Sequence, residues 1–181
     1  MAEEKTLASG TLVIGLGRFG SAVALTLDKL GYEVLAVEKD SRRVQQFSGR
    51  IPVVEADASS LEALNQLGAR DFYSAVVGIG SSLEASVLIT ANLVDIGMTN
   101  IWAKAISREH SRILRRIGAQ HVVAPEFDAG QRTAHLVGGR MIDYIEMDKD
   151  GFAIMKLRPP KEVCGFTLSE LDLRGRYGVN V

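Results

Sequence analysis

TLVIGLGRFGSAVALTLDKLGYEVLAVEKD, residues 11–40, sets the pattern that the rest of the chain repeats. An apolar run, Leu12-Val13-Ile14, leads into a glycine-rich turn, Gly15-Leu16-Gly17-Arg18-Phe19-Gly20. A helical pattern follows with Val23, Leu25, Leu27 and Leu30 apolar, and Gly31 stops it. A second apolar run, Val34-Leu35-Ala36-Val37, ends on Glu38. Strand, G-x-G-x-x-G, helix, strand and acid in that order mark a nucleotide site far more specifically than the bare glycine pattern does. Gly15 permits the tight turn, Gly17 lets backbone approach a phosphate, and Gly20 lets the helix pack on the strand. The helix N-terminus offers unpaired N–H groups and a positive dipole end to an anion. Glu38 is placed to accept from ribose hydroxyls and to repel a 2′-phosphate. The plain alternative is a structural strand-turn-helix with Glu38 merely solvated.

The totals exclude several classes. A chain of 181 residues holds one full domain and a smaller piece. With 46% hydrophobic and 24% charged residues it has the composition of soluble globular material. A net charge of −1 gives no basic surplus for general nucleic-acid binding. No apolar run reaches the ~20 residues needed to span a bilayer. The opening Met-Ala-Glu-Glu-Lys is unlike a signal peptide, and this reading places the chain in the cytoplasm. The single cysteine, Cys164, rules out an internal disulfide and a multi-cysteine metal site.

After a loose lead-in over residues 1–10, strand-like runs fall at 11–15, 33–37, 52–55, 75–79, 101–105 and about 121–124. They are apolar throughout, as parallel strands covered on both faces are. Helical patterns between them end near Gly31, Gly49, Gly68, Gly97 and Gly118. The spacing predicts a doubly wound, six-stranded, Rossmann-like α/β sheet in the order 3-2-1-4-5-6, with ligands over the carboxyl ends of strands 1 and 4. Ser59 with Glu62, Ser81 with Glu84 and Thr167 with Glu170 have capping-box spacing. The helix after Ser82 is apolar nearly all round, so either the sheet alone buries it or a second subunit shares it.

The rhythm changes near Pro125. Residues 11–126 read as the nucleotide domain, and 127–141 as a crossover helix within a helical run that begins at Glu126. Residues 142–147 and 152–157 read as strands joined by a turn at Asp148-Lys149-Asp150-Gly151, an antiparallel hairpin. A short helix ends near Leu171, and Tyr177 to Val181 read as the start of a strand. Residues 142–181 thus look like the opening of a small α+β lobe that is not finished.

Chemistry-bearing residues gather at strand ends. Glu38 and Lys39 follow strand 2, and Asp57 and Ala58 follow strand 3. Gly78-Ile79-Gly80 closes strand 4, Lys104 ends strand 5, and Glu126 follows strand 6. Arg18 and Phe19 stand inside the glycine loop, and the Arg18 guanidinium can grip phosphates bidentately. Arg18 with Lys104 points to a phosphate-rich ligand such as ATP or ADP, or to a phosphate from a neighbouring subunit. Glu126 near phosphates either holds Mg²⁺ or another cation, or caps the following helix. His110 lies among Arg108, Arg112, Arg115 and Arg116 and reads as part of a solvated basic face; His121 and His135 have no evident orienting carboxylate. G-x-S-x-G, H-E-x-x-H and G-x-x-x-x-G-K-[ST] are absent. A binding module, not an enzyme, is the expectation. The rival is a small NAD-dependent oxidoreductase.

V-I-G-L-G-R-F-G at 13–20, V-E-A-D-A-S at 54–59, N-I-W-A-K-A at 100–105 and I-G-A-Q-H-V-V-A-P-E at 117–126 together resemble the RCK (regulator of potassium conductance) family, of the type in cytosolic Ktr/Trk potassium-uptake subunits. The tail from Ser169 to Val181 resembles the opening of that family's C-terminal lobe. The resemblance implies homodimers assembled into a ring, expected to be an octamer, docked at the inner face of the cell membrane on a potassium channel or transporter. ATP or ADP, with NAD(H) in some members, would bind and change the ring's shape; a nucleotide-sensing regulator of another cation transporter would share every one of these motifs. Gly15, Gly17, Arg18 and Gly20 would hold phosphates, with Arg18 sensing the terminal one. Glu38 would hold the ribose, Asp57 would lie near the adenine, and Lys104 would add a contact. Glu126 would lie near a subunit interface and coordinate a cation.

Overall fold

The computed structural model describes residues 10–139, 141–147 and 152–181. Six parallel strands alternate with helices: β1 (Thr11–Ile14), α1 (Arg18–Lys29), β2 (Val34–Glu38), α2 (Ser41–Phe47), β3 (Val53–Glu55), α3 (Leu61–Gln66), β4 (Ser74–Val77), α4 (Leu83–Asp95), β5 (Ile101–Lys104), α5 (Arg108–Ile117) and β6 (His121–Val123). The sheet order is β3-β2-β1-β4-β5-β6, as the spacing predicts. β1 lies at the reversal, with Ile14 level with Val37 on one side and Val77 on the other. The chain therefore leaves β1 and β4 in opposite directions, which opens a crevice over their carboxyl ends.

Alternate residues of each strand feed two cores. On one face Leu12, Ile14, Val77, Ile101 and Ala103 pack with Leu64 of α3, Ile89 and Leu93 of α4 and Leu114 of α5. On the other, Val13, Ala36 and Val76 pack with Ala24 of α1 and Phe47 of α2. Each fully buried Leu or Ile contributes roughly 1.5–3 kcal/mol, so this double layer is the main source of rigidity beneath the crevice. Gly31, Gly49, Gly68, Gly97 and Gly118 all take left-handed φ after their helices. The lone tryptophan, Trp102 on β5, stacks on His121 of β6 with ring centroids 4.0 Å apart and stays 39% exposed.

Several local readings are corrected. The caps of α3 and α4 are Ser60 and Ser82, one residue later than the capping-box spacing suggests, each accepting from a backbone N–H three residues on. Ser59 is held outside α3 because Asp57 Oδ1 takes both its N–H and its hydroxyl. Of α4, Ser86, Ile89, Thr90, Asn92 and Leu93 are buried while Leu83 and Leu88 are exposed, so sheet and neighbouring helices cover one side only. His110 is not on the solvated arginine face of α5: it is fully buried. It sits at the third position of the helix, turned inward while Arg108, Arg112, Arg115 and Arg116 stay exposed.

The chain divides into two compact units, one ending at Glu126 and the other beginning at Phe127. α6 runs from Pro125 to Val137 and stops at Gly138-Gly139, short of the Met141 limit expected from sequence, because Gly139 turns left-handed. In the second unit β7 (Met141–Glu146) pairs antiparallel with β8 (Ala153–Leu157). The turn expected at Asp148–Gly151 lies outside the described residues, as do residues 1–9 of the lead-in. Arg132 of α6 donates to Asp143 at 2.6 Å, and His135 stacks on Tyr144. Thr167 and Glu170 form the full reciprocal capping box at the start of α7 (Leu168–Leu171). α8 (Leu173–Tyr177) follows, and Tyr177 to Val181 do not form a strand: Tyr177 closes α8, and Gly178 turns left-handed behind it. None of the described residues from Phe127 onward is buried. No helix among the described residues is long and apolar enough to cross a membrane.

Candidate functional site

A cleft of about 570 Å³ opens over the carboxyl ends of β1, β2, β4 and β5, entirely within the first unit. Its base is the glycine loop. Gly15 has φ +89°, and a Cβ there would come within 2.9 Å of Ile79. Gly20 does not line the cleft; a Cβ on it would collide with the Gly15 carbonyl oxygen, so its role is to seat α1 against the turn. Gly17 faces open space, with no atom within 4 Å of where a Cβ would stand, and it caps α1 without a side chain. The first-turn N–H groups of α1 are thus aimed at the cleft with no side-chain acceptor of their own, a ready anion site. Arg18 and Phe19 line the cleft beside them, Arg18 being exposed.

Glu38 lines the neighbouring wall with Lys39. It is only 6% exposed, and it is not simply waiting for a ribose. Its Oε2 accepts from the Leu16 N–H of the glycine loop at 2.7 Å. Its Oε1 accepts from the Lys39 and Asp40 N–H groups at 2.9 and 3.1 Å. Arg43, exposed and without any motif to mark it in the sequence, reaches within 3.6 Å of Oε2. Carboxylate oxygens have about four acceptor sites in all, so room remains for a hydroxyl.

Asp57 and Ala58 form the far rim. Asp57 accepts from Ser59 N–H at 3.0 Å and Ser59 Oγ at 2.6 Å. The Ser59 hydroxyl bond, then its N–H, then the nearby Lys39 charge hold the Asp57 carboxyl below its ordinary value. Asn92, buried on α4, fixes this rim by donating to the Ser59 carbonyl at 2.9 Å.

Ile79, Gly80, Lys104 and Glu126 close the other end. Lys104 is buried, and its Nζ donates to Glu126 Oε1 at 2.7 Å. A Cβ on Gly80 would stand 3.3 Å from both Lys104 Nζ and Ile106, so the glycine makes space for these two. The Lys104 hydrogen bond, the helix-start backbone and the charges of Lys104 and Arg18 hold the Glu126 carboxyl below its usual range. Glu126 lies in the first turn of α6, yet its oxygen is spent on Lys104. Among the described residues no three His, Cys, Asp or Glu side chains group to hold a metal ion. A cation at Glu126 would need phosphate oxygens to complete its shell.

Twelve of the thirteen residues expected from sequence therefore line one cleft, and Gly20 stands behind it. Sequence reading misses Arg43, Asn92 and Ile106. Ser82 and Ala85 at the N-terminus of α4 also line the cleft, which the helix start after Gly80 signals in the sequence.

Residues 11–125 match the family described as the TrkA-N domain. The chain is 35% identical over 171 residues to Ktr system potassium uptake protein C of Bacillus subtilis (strain 168), covering 93% of this chain and 77% of that protein. The GsuK channel bound to NAD superimposes with a TM-score of 0.71 at 16% identity, over 98% of this chain and 32% of that one. GsuK bound to ADP superimposes with a TM-score of 0.64 at 22% identity, over 75% and 35%. At such identities the structural likenesses establish the fold alone.

Proposed function

The chain belongs to the TrkA-N domain family, together with the Ktr system potassium uptake proteins, and from this we propose that it is a nucleotide-sensing regulatory subunit of a membrane potassium channel or transporter. The observation that carries the reading is the uncapped start of α1 at one cleft with Arg18 and the Lys104–Glu126 pair. The phosphates lie on the first turn of α1 at Gly15, Gly17, Arg18 and Phe19, with Gly20 supporting the turn. Glu38 and Lys39 meet the ribose, and Asp57, Ala58, Ile79 and Gly80 border the base and the middle of the ligand. ATP and ADP are the primary ligands. That GsuK is seen with ADP and with NAD supports adenine nucleotides as the class, NAD(H) included.

The protein works by binding, without turnover. An additional phosphate brings negative charge to Arg18 and Lys104 and competes with Glu126 for Lys104. Glu126, released from Lys104, would be the residue to hold a Mg²⁺ ion, whose charge would offset that of the phosphate. The work available is the difference in affinity between two conformations, typically about 1–3 kcal/mol per site. Homodimers joined in a ring, an octamer, add such terms, and the ring docks at the cytoplasmic face of its membrane partner.

Titration calorimetry with ATP, ADP, NAD⁺ and NADH, with and without Mg²⁺, tests this. Arg18→Ala is expected to weaken ATP more than ADP, and Glu126→Gln to abolish the Mg²⁺ effect. Equal losses for both nucleotides in Arg18→Ala would refute phosphate sensing. Tight NADH with weak ATP would make the redox cofactor the ligand sensed.

A further inference from the structure

One buried titratable group bonds to the loop that carries Ile106 into the cleft, and the binding reading above leaves it unused. His110 is 0% exposed, and its Nε2 has no hydrogen-bond partner among the described residues. Its Nδ1 accepts from the Ile106 backbone N–H at 3.4 Å. Its own backbone N–H donates to Ser107 Oγ, the N-cap of α5, at 3.1 Å. This reproduces the logic of a capping box, in which a third-position side chain reaches back to the N-terminal backbone. Here the acceptor is an imidazole nitrogen instead of a carboxylate. The loop it holds, Ala105 to Ser107, directly follows Lys104 and sends Ile106 into the cleft against Gly80.

We propose that His110 is a positioning residue for the nucleotide cleft: its neutral imidazole latches the β5–α5 loop, and so Lys104 and Ile106, in the ligand-ready arrangement, and protonation releases it. The proposal rests on the nucleotide reading of the cleft. The geometry allows only one tautomer, with Nδ1 bare and the proton on Nε2. A proton on Nδ1 would set a donor against the Ile106 donor, and would place a positive charge at the positive end of the α5 dipole. The charged groups on the elements around it are exposed or already paired. α5 itself carries Arg108, Glu109, Arg112, Arg115 and Arg116, all exposed. The elements packed most heavily on α5 are α4, with Glu84 and Asp95 both exposed, and β6, with His121 exposed. Lys104 is already paired with Glu126. Burial accordingly lowers the His110 pKa from its ordinary 6.5. The sign follows: the latched state is fully favoured above pH 6.5 and loses ground as pH falls below it, because the released imidazole takes the proton first.

The test is ADP affinity by calorimetry from pH 8 to pH 5.5, in the wild-type protein and in His110→Asn, whose Oδ1 can replace Nδ1 as acceptor but does not titrate. ADP itself protonates in this range, so the ratio between the two proteins is what counts. Wild-type affinity is expected to fall more steeply than that of the variant, approaching a limit of about tenfold per pH unit for one linked proton. Parallel profiles would overturn the proposal. In the ligand-free wild type, imidazole ¹⁵N shifts are expected to show a bare Nδ1 at pH 8, and the Ile106 amide signal to move with the His110 titration. A proton on Nδ1 at pH 8, or an Ile106 amide indifferent to that titration, would also overturn it. Failure of ADP to bind at pH 8 would defeat the nucleotide reading, while the ring and amide signals still decide the latch.

Discussion

Glu38→Gln is expected to destabilise the protein with no ligand present. The carboxylate is 6% exposed and accepts three backbone N–H bonds, one of which, from Leu16, ties β2 to the glycine loop. Glutamine keeps one oxygen and turns the other into an NH₂ donor. Either the Leu16 N–H or the Lys39 and Asp40 pair then faces a donor in a buried place. A hydrogen bond to a charged group is worth about 1.5–3 kcal/mol, and an orphaned buried donor costs about 1–3 kcal/mol. Because these overlap, a loss of roughly 2–4 kcal/mol is the expectation. At about 2–4 °C per kcal/mol for a chain of this size, the melting temperature should fall by roughly 5–15 °C. Thermal unfolding followed by circular dichroism, without nucleotide, reads this directly. If Glu38 served only a ribose, the ligand-free variant would melt with the wild type; a shift under about 2 °C would refute the argument.

The second and third glycines of the loop, Gly17 and Gly20, should separate fold from function. Gly20→Ala collides with the Gly15 carbonyl and is expected to cost about 1–3 kcal/mol or more in unfolding experiments. Gly17→Ala meets no atom within 4 Å and has an ordinary φ of −67°, so its stability cost stays near or below about 1 kcal/mol. It should nonetheless lose nucleotide in the same calorimeter, and a variant that binds normally would show that phosphate does not approach there. The Lys104–Glu126 pair supplies a pH prediction. Since the Glu126 pKa is lowered in the folded protein, its contribution is complete above the ordinary carboxylate range and disappears as pH falls through the lowered value. With Glu126 60% exposed, the stability difference between wild type and Glu126→Gln should be no more than about 1 kcal/mol at pH 7. It should shrink below about pH 4.5 in acid melts, and a difference that grows toward acid would reverse the assignment.

What the sequence displays is local and periodic. The glycine turn, the apolar strands and the closing glycines each state their role within a few residues, and together they force the strand order and the place of the cleft. What it hides are long-range partners. Glu38 and Leu16 are 22 positions apart, and Asn92 and Ser59 are 33 apart; neither bond leaves a trace in spacing. His110 reads as solvated because four arginines share its helix. Leu114 and Ile117, four and seven residues on, mark the inward face to which it belongs, and Leu114 is buried with it. Ser59 reads as a cap because spacing alone does not reveal that Asp57, two residues before it, competes for its hydroxyl.

The stacking of Trp102 on His121 gives the protein its own optical probe. This is the chain's single tryptophan, so its emission needs no label and no subtraction. The ring lies nearly flat on the imidazole, 16° from parallel, so its emission is sensitive to any change in that stack. Trp102 is also two residues before Lys104 on the same strand. Emission against added nucleotide reports any shift of β5, from a few micrograms of unmodified protein.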